Sequence, residues 1–175
     1  MFLILVISNS CRSQLGGIKY TEDPLVVNSS HRVLEDYFSK DIEVKNQILE
    51  ESSHNQKKWN EITDSFHLSL IQVINAKTKD DLLNFNLIYT QKFLKSRISV
   101  LKDNSISKWS TIHPDLDFSK SEQNNSAYIS LPIIDQSTNY AMFYVETRYS
   151  GDLVIYKRES EKSWQFYAIG NIWIE

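Results

Sequence analysis

The chain has 175 residues, of which 41% are hydrophobic and 23% charged, the composition of one compact domain with its own core rather than of a disordered chain. Its net charge of −3 is small and the signs are interspersed, so the basic footprint needed to neutralise phosphates is missing and nucleic acid is not an expected partner. Four glycines and three prolines form no phosphate-cradling loop of the G-x-G-x-x-G or G-x-x-x-x-G-K-[ST] type, and no repeat of fixed period runs through the chain.

The chain opens on an apolar run from Phe2 to Ile7 that turns abruptly to Ser8, Asn9, Ser10 and Cys11. A bilayer-spanning helix needs about 20 apolar residues, so the run fits the short hydrophobic segment of a signal peptide instead. Run, small polar residues and cysteine together resemble a bacterial lipoprotein signal, in a relaxed form with Ser8 at the usually aliphatic position three before the cysteine. The resemblance implies cleavage before Cys11 and lipidation of its thiol. Residues 1–11 are then a truncated signal, residues 12–30 a tether containing Gly16, Gly17, Pro24 and Ser29, and residues 31–175 a single domain. A lone cysteine forms no intramolecular disulfide, and lipidation gives it a role. The alternative is a buried strand over residues 2–7 with Cys11 as a small core residue.

Ser30 reads as the N-cap of a first helix, with Val33, Leu34, Tyr37 and Phe38 as its apolar stripe. The stripe resumes at Val44, Ile48 and Leu49, so one long or two shorter helices are expected over residues 31–52. Residues 55–75 carry both periods. Trp59, Ile62, Phe66, Leu70 and Val73 are spaced as on a helix, whereas 66–70 alternates as in a strand, and a strand over 65–74 after a helical turn at Trp59 is the reading preferred. Thr78 with Asp80 and Asp81 opens a further helix, expected to run to Lys95 with Leu82, Phe85, Tyr89 and Phe93 on its buried face. Trp109 reads as an anchor, and residues 113–126 as a polar, turn-rich loop.

The last third alternates short apolar segments with turn residues. Residues 127–134 form an edge strand interrupted by Pro132, residues 140–149 the strongest strand, and Ser150-Gly151 a tight turn into 153–157. Segments 164–169 and 172–174, separated by Gly170-Asn171, complete an antiparallel meander. The expected fold class is α+β, with N-terminal helices packed on a mainly antiparallel β-meander formed by the C-terminal third. One face should pack on the helices; the other should carry Tyr140, Tyr144, Glu146 and Arg148 toward solvent as a candidate binding surface for a sugar or peptide.

Chemistry is sparse. His113, Asp115 and Asp117 alternate in an extended segment and are the only local cluster with metal-ligand character, but no second His or Cys lies nearby in sequence, so no metal and no other cofactor is assigned. His31 and His54 read as surface or cap residues. No serine occupies a G-x-S-x-G elbow, and the paired acids Glu50-Glu51 and Asp80-Asp81 diverge at helix ends. No catalytic residue is assigned.

The segments 129–135, 140–145 and 150–157 with Ser163-Trp164-Gln165 look like the C-terminal half of small uncharacterised exported lipoproteins of Gram-negative bacteria, without the cysteine pair often found there. The two resemblances imply a cell-envelope lipoprotein, facing the periplasm or the surface and held to the membrane by a lipid anchor, with a non-enzymatic binding or scaffolding role toward another envelope protein or a glycan. An immunity-type inhibitor of a partner protein and an envelope-polymer hydrolase are the alternatives.

Overall fold

The computed structural model describes residues 19–40, 42–49, 68, 71–74, 85–102, 106–118, 126–135, 137 and 139–174. Cys11 and the expected signal, Trp59 and its helical turn, and the Thr78 cap lie outside these residues.

A 3₁₀ turn at Tyr20–Glu22 leads into helix α1, Pro24–Phe38. The helix starts there because Asp23 caps it, its carboxylate accepting the Leu25 N–H at 2.8 Å, and because Pro24 at the first helical position has a preset φ and no N–H to satisfy. Val26, Ser29, Ser30, Val33 and Leu34 are buried at the i, i+3, i+4, i+7, i+8 spacing of one helical face. One expectation is corrected here: Ser30 lies in the middle of α1 rather than at its start. Within the tether expected over residues 12–30, Thr21, Val26, Ser29 and Ser30 are buried.

α1 ends at Phe38, and none of the described residues from there to Leu49 is helical. The chain instead runs extended along the sheet edge. Strand β1, Glu43–Val44, pairs parallel with β3, Ser126–Ile129, and the Lys45 and Leu49 N–H groups donate to Ala127 and Ile129 carbonyls at 2.9 and 3.0 Å. Val44 and Ile48 are buried as their i, i+4 spacing indicated, but by an edge segment. Of the strand expected over 65–74, the described residues are Leu68 and 71–74, and they include β2, Gln72–Val73. Leu68 is helical, and a turn from the Ile71 N–H to the Leu68 carbonyl separates the two. The helix expected to reach Lys95 is broken into α2, Phe85–Ile88, and α3, Gln91–Lys102. Thr90 restarts it, its hydroxyl accepting the Phe93 N–H at 3.3 Å. A single turn, α4, spans Trp109–Ile112.

The remaining strands are β4, Ile133–Asp135, β5, Tyr140–Glu146, β6, Ser150–Arg158, and β7, Trp164–Ile174. Among the described residues the sheet has seven strands in the order β1-β3-β5-β6-β7-β2, with β4 also on β5, and every pairing of these strands except β1 with β3 is antiparallel. An α+β fold with a largely C-terminal, mostly antiparallel sheet is therefore what the chain adopts. Pro132 lacks the N–H a ladder needs and separates β3 from β4, which share the same edge of β5. Ser130 bridges the gap: its N–H donates to the Tyr144 carbonyl at 2.9 Å and its hydroxyl accepts the Tyr144 N–H at 3.0 Å.

Turns differ from expectation in two places. The β5–β6 turn is Thr147 to Ser150, with Thr147 Oγ1 accepting the N–H groups of Tyr149 and Ser150, and Gly151 already belongs to β6, opposite Glu146. β7 runs straight through Gly170 and Asn171, absorbing them with two irregularities of register against β6. Each leaves one extra residue on β7, Tyr167 and Ile172, which a bulge accommodates.

Both faces of the sheet are buried. Ala141, Phe143 and Val145 of β5 belong to a core with Val26, Val33 and Leu34 of α1, together with Trp109, Val154, Tyr156 and Trp164. The alternate residues Tyr140, Met142 and Tyr144 belong to a second core with Phe85, Tyr89, Leu94, Leu153, Ile155 and Tyr167. The half-polar outer face expected from the tyrosines is corrected accordingly: α2, α3 and Leu68 cover it.

Candidate functional site

Two groups of polar side chains are concentrated enough to be weighed as sites. The first joins the middle of α1 to the segment that follows α4. His113 is 2% exposed, its ring stacked on Trp109 at 6.0 Å between centroids and edge-on to His31 at 5.3 Å. Its Nε2 lies 2.8 Å from Ser30 Oγ. The Ser30 hydroxyl has one hydrogen, and its contacts to the Val26 and Val27 carbonyls are 2.6 and 3.1 Å. An O···O distance of 2.6 Å places that hydrogen on the Val26 carbonyl, so His113 Nε2 carries the other and donates to Ser30. A serine that gives its hydrogen to its own helix is not poised to give it to an imidazole base, and Ser30 is fully buried. The pair is a structural tie.

Next to it, His31 Nδ1 and Nε2 lie 3.5 Å from Glu35 and 3.3 Å from Asp115. The Asp115 carboxyl is held below its ordinary range, first by its own backbone N–H and then by His31. Burial is the main cause that pushes His113 down to about 4; His31 adds to this and Asp115 opposes it. The three candidate metal ligands therefore do not converge. His113 turns inward to Ser30, Asp115 turns to His31, and Asp117 is exposed, because residues 114–116 form a turn instead of the extended segment that alternation would need. Among the described residues no three His, Cys, Asp or Glu side chains are grouped so as to hold a metal ion.

The second group is at the end of the sheet where the β5–β6 turn meets the end of β7. Of the four residues expected to form a binding surface, Tyr140 and Tyr144 are 2% and 0% exposed and belong to the second core. Tyr144 nonetheless has its hydroxyl engaged at the core's rim. It accepts from Trp173 Nε1 at 3.0 Å and donates to Glu146 at 3.0 Å, and burial raises its pKa out of the physiological range. Arg148 lies over the Tyr149 ring at 5.5 Å, and Ile174 faces Ser150 across the β6–β7 pair. Tyr149 and Ile174 are 56% and 74% exposed. Sequence reading found Glu146 and Arg148 but missed Tyr149, Trp173 and Ile174, since only the pairing of β6 with β7 brings the chain's end beside the turn. It also missed the Ser30–His113 tie, which links residues 83 positions apart.

Comparison of the chain with family models, with curated proteins and with solved structures returns no match.

Proposed function

We propose that this chain is a membrane-tethered envelope lipoprotein whose domain, with its N-terminal helix clamped to one sheet face, acts by binding another envelope protein rather than by catalysis. The contact surface is the sheet end formed by Glu146, Arg148, Tyr149, Trp173 and Ile174. The observation that carries this reading is the exposure of Tyr149, with Arg148 stacked on its ring, and of Ile174 at the same end of a sheet that carries a buried core on each face. Tyrosine, tryptophan and arginine supply most of the energy at protein interfaces, because each buries a large area and keeps a polar handle. The tether rests on the lipoprotein-like pattern that ends at Cys11.

Two measurements test the two halves separately. A Cys11→Ser variant expressed from the natural start loses acyl-chain labelling and leaves the membrane fraction; unchanged membrane association rules the lipid anchor out. A photo-crosslinking side chain placed at Tyr149 or Ile174 in cells captures one defined envelope protein that the same group at Lys95, on the exposed side of α3, does not capture. Identical products from all three positions count against the contact surface.

A further inference from the structure

We propose that the His31–His113 junction is an acid-operated clasp, which holds residues 113–118 on helix α1 at neutral pH and lets them go on acidification while the sheet stays folded.

Ser30 with His113, at 2.8 Å, and His31 with Asp115, at 3.3 Å, join α1 to this segment, beside a ring contact of Phe38 with Phe118. His113 is the pin. Its backbone N–H closes α4 on the Trp109 carbonyl at 2.8 Å, its ring fills the space between Trp109 and His31, and its Nε2–H is the donor to Ser30. Groups from α1, α4 and its own segment face the ring. From α1 come Ser30, which is neutral, and His31, whose Nδ1 lies 3.5 Å from Glu35. From α4 comes Trp109, which offers only a ring face. Its own segment supplies Asp115, whose carboxylate is directed to His31. Among the described residues no carboxylate hydrogen-bonds to His113, so a second proton on the ring creates a buried cation beside another imidazole with no described anion in contact to offset its desolvation.

The direction follows. In the closed clasp the His113 pKa is lowered to about 4, chiefly by burial, whereas a released imidazole titrates in its ordinary range. The open form therefore binds the proton more readily between those two values, and closing is favoured less and less as pH falls through that window. His31 helps to set the midpoint, because its charge opposes that of His113. Below the window both forms are protonated and the dependence ends.

The test is native-state amide exchange, read segment by segment and corrected for intrinsic rates, on the full chain. Protection over 109–118 should fall on the order of fifty-fold between pH of about 7 and about 4.5, while β5 and β6 keep theirs. The His113 ring resonances should stay those of a neutral imidazole until the segment opens. In His113→Gln the amide can still donate to Ser30 but cannot titrate, so the acid-dependent loss of protection disappears. In His31→Asn the fall in protection between the same two pH values is smaller, because the His113 proton is opposed less in the closed clasp. Loss of protection in β5 and β6 in step with 109–118, or an unchanged acid midpoint in His113→Gln, would overturn the clasp. If the glutamine variant does not fold, the wild-type ring titration decides: a His113 that titrates as an exposed imidazole with no change in exchange leaves no clasp to operate.

Discussion

Gly151 is the residue whose lack of a side chain the sheet end depends on. A Cβ there would fall well inside contact distance of Trp173 Nε1 and Tyr144 Oη, the two atoms that hydrogen-bond across β5 and β7. Gly151→Ala should therefore destabilise the protein by about 1–3 kcal/mol, as overpacking does, read as a lower urea midpoint at unchanged m-value. Tyr144→Phe keeps the ring in the second core and removes the acceptor for Trp173 and the donor to Glu146. Its expected cost is about 1 kcal/mol, because both former partners are only partly buried and regain water. A Tyr144→Phe variant as stable as wild type would show that the hydroxyl is not part of the fold's support. At this scale the sequence was a poor guide. The alternation of β5 correctly put Tyr140, Met142 and Tyr144 together on one side, but which side meets solvent depends on chain segments far away.

Among the elements, α1 shows how a local signal can be present and still be outweighed. Asp23-Pro24 is a cap followed by a first-turn proline, and Val26 sits one helical turn before Ser30. The run Asn28-Ser29-Ser30 looks like a boundary because serine and asparagine favour caps over helix interiors. What retains them inside α1 is partly local, since Ser29 and Ser30 turn their hydroxyls back to the Val26 carbonyl, and partly tertiary, since Ser30 also accepts the His113 Nε2–H. Asp23→Ala removes the side-chain cap at the N-terminus of α1 and should cost about 1 kcal/mol, with early amide exchange confined to the first turn of the helix. An equal loss of protection along the whole of α1 would place the helix start elsewhere. The same lesson holds for Val44 and Ile48. Their spacing fits a helix stripe, yet an edge segment hydrogen-bonded to β3 buries them equally well, so burial was legible and conformation was not.

For the molecule as a whole, the decisive property is that one sheet serves two cores. Class and strand content could be read from the last third, where β-branched and aromatic residues alternate between turn residues, because those signals are local. The second core could not, since the sequence puts Phe85 and Tyr89 on a buried helix face without saying which sheet face they meet, and Leu68 lies in a stretch that carries both periods. The consequence is measurable on two neighbouring residues of β5. Phe143 belongs with α1 in one core and Met142 with Leu94 and Ile155 in the other, and each is at most 1% exposed. A sheet with one wet face would tolerate truncation on that face within about 0.5 kcal/mol. Here Phe143→Ala should cost about 3–5 kcal/mol and Met142→Ala about 2–5 kcal/mol, both from lost burial and the cavities left behind. Urea unfolding of the two single variants, followed by circular dichroism, separates the cases. A Met142→Ala variant with a wild-type midpoint would mean that the second core does not form, and with it would go the reason for confining the exposed contact surface to the sheet's end.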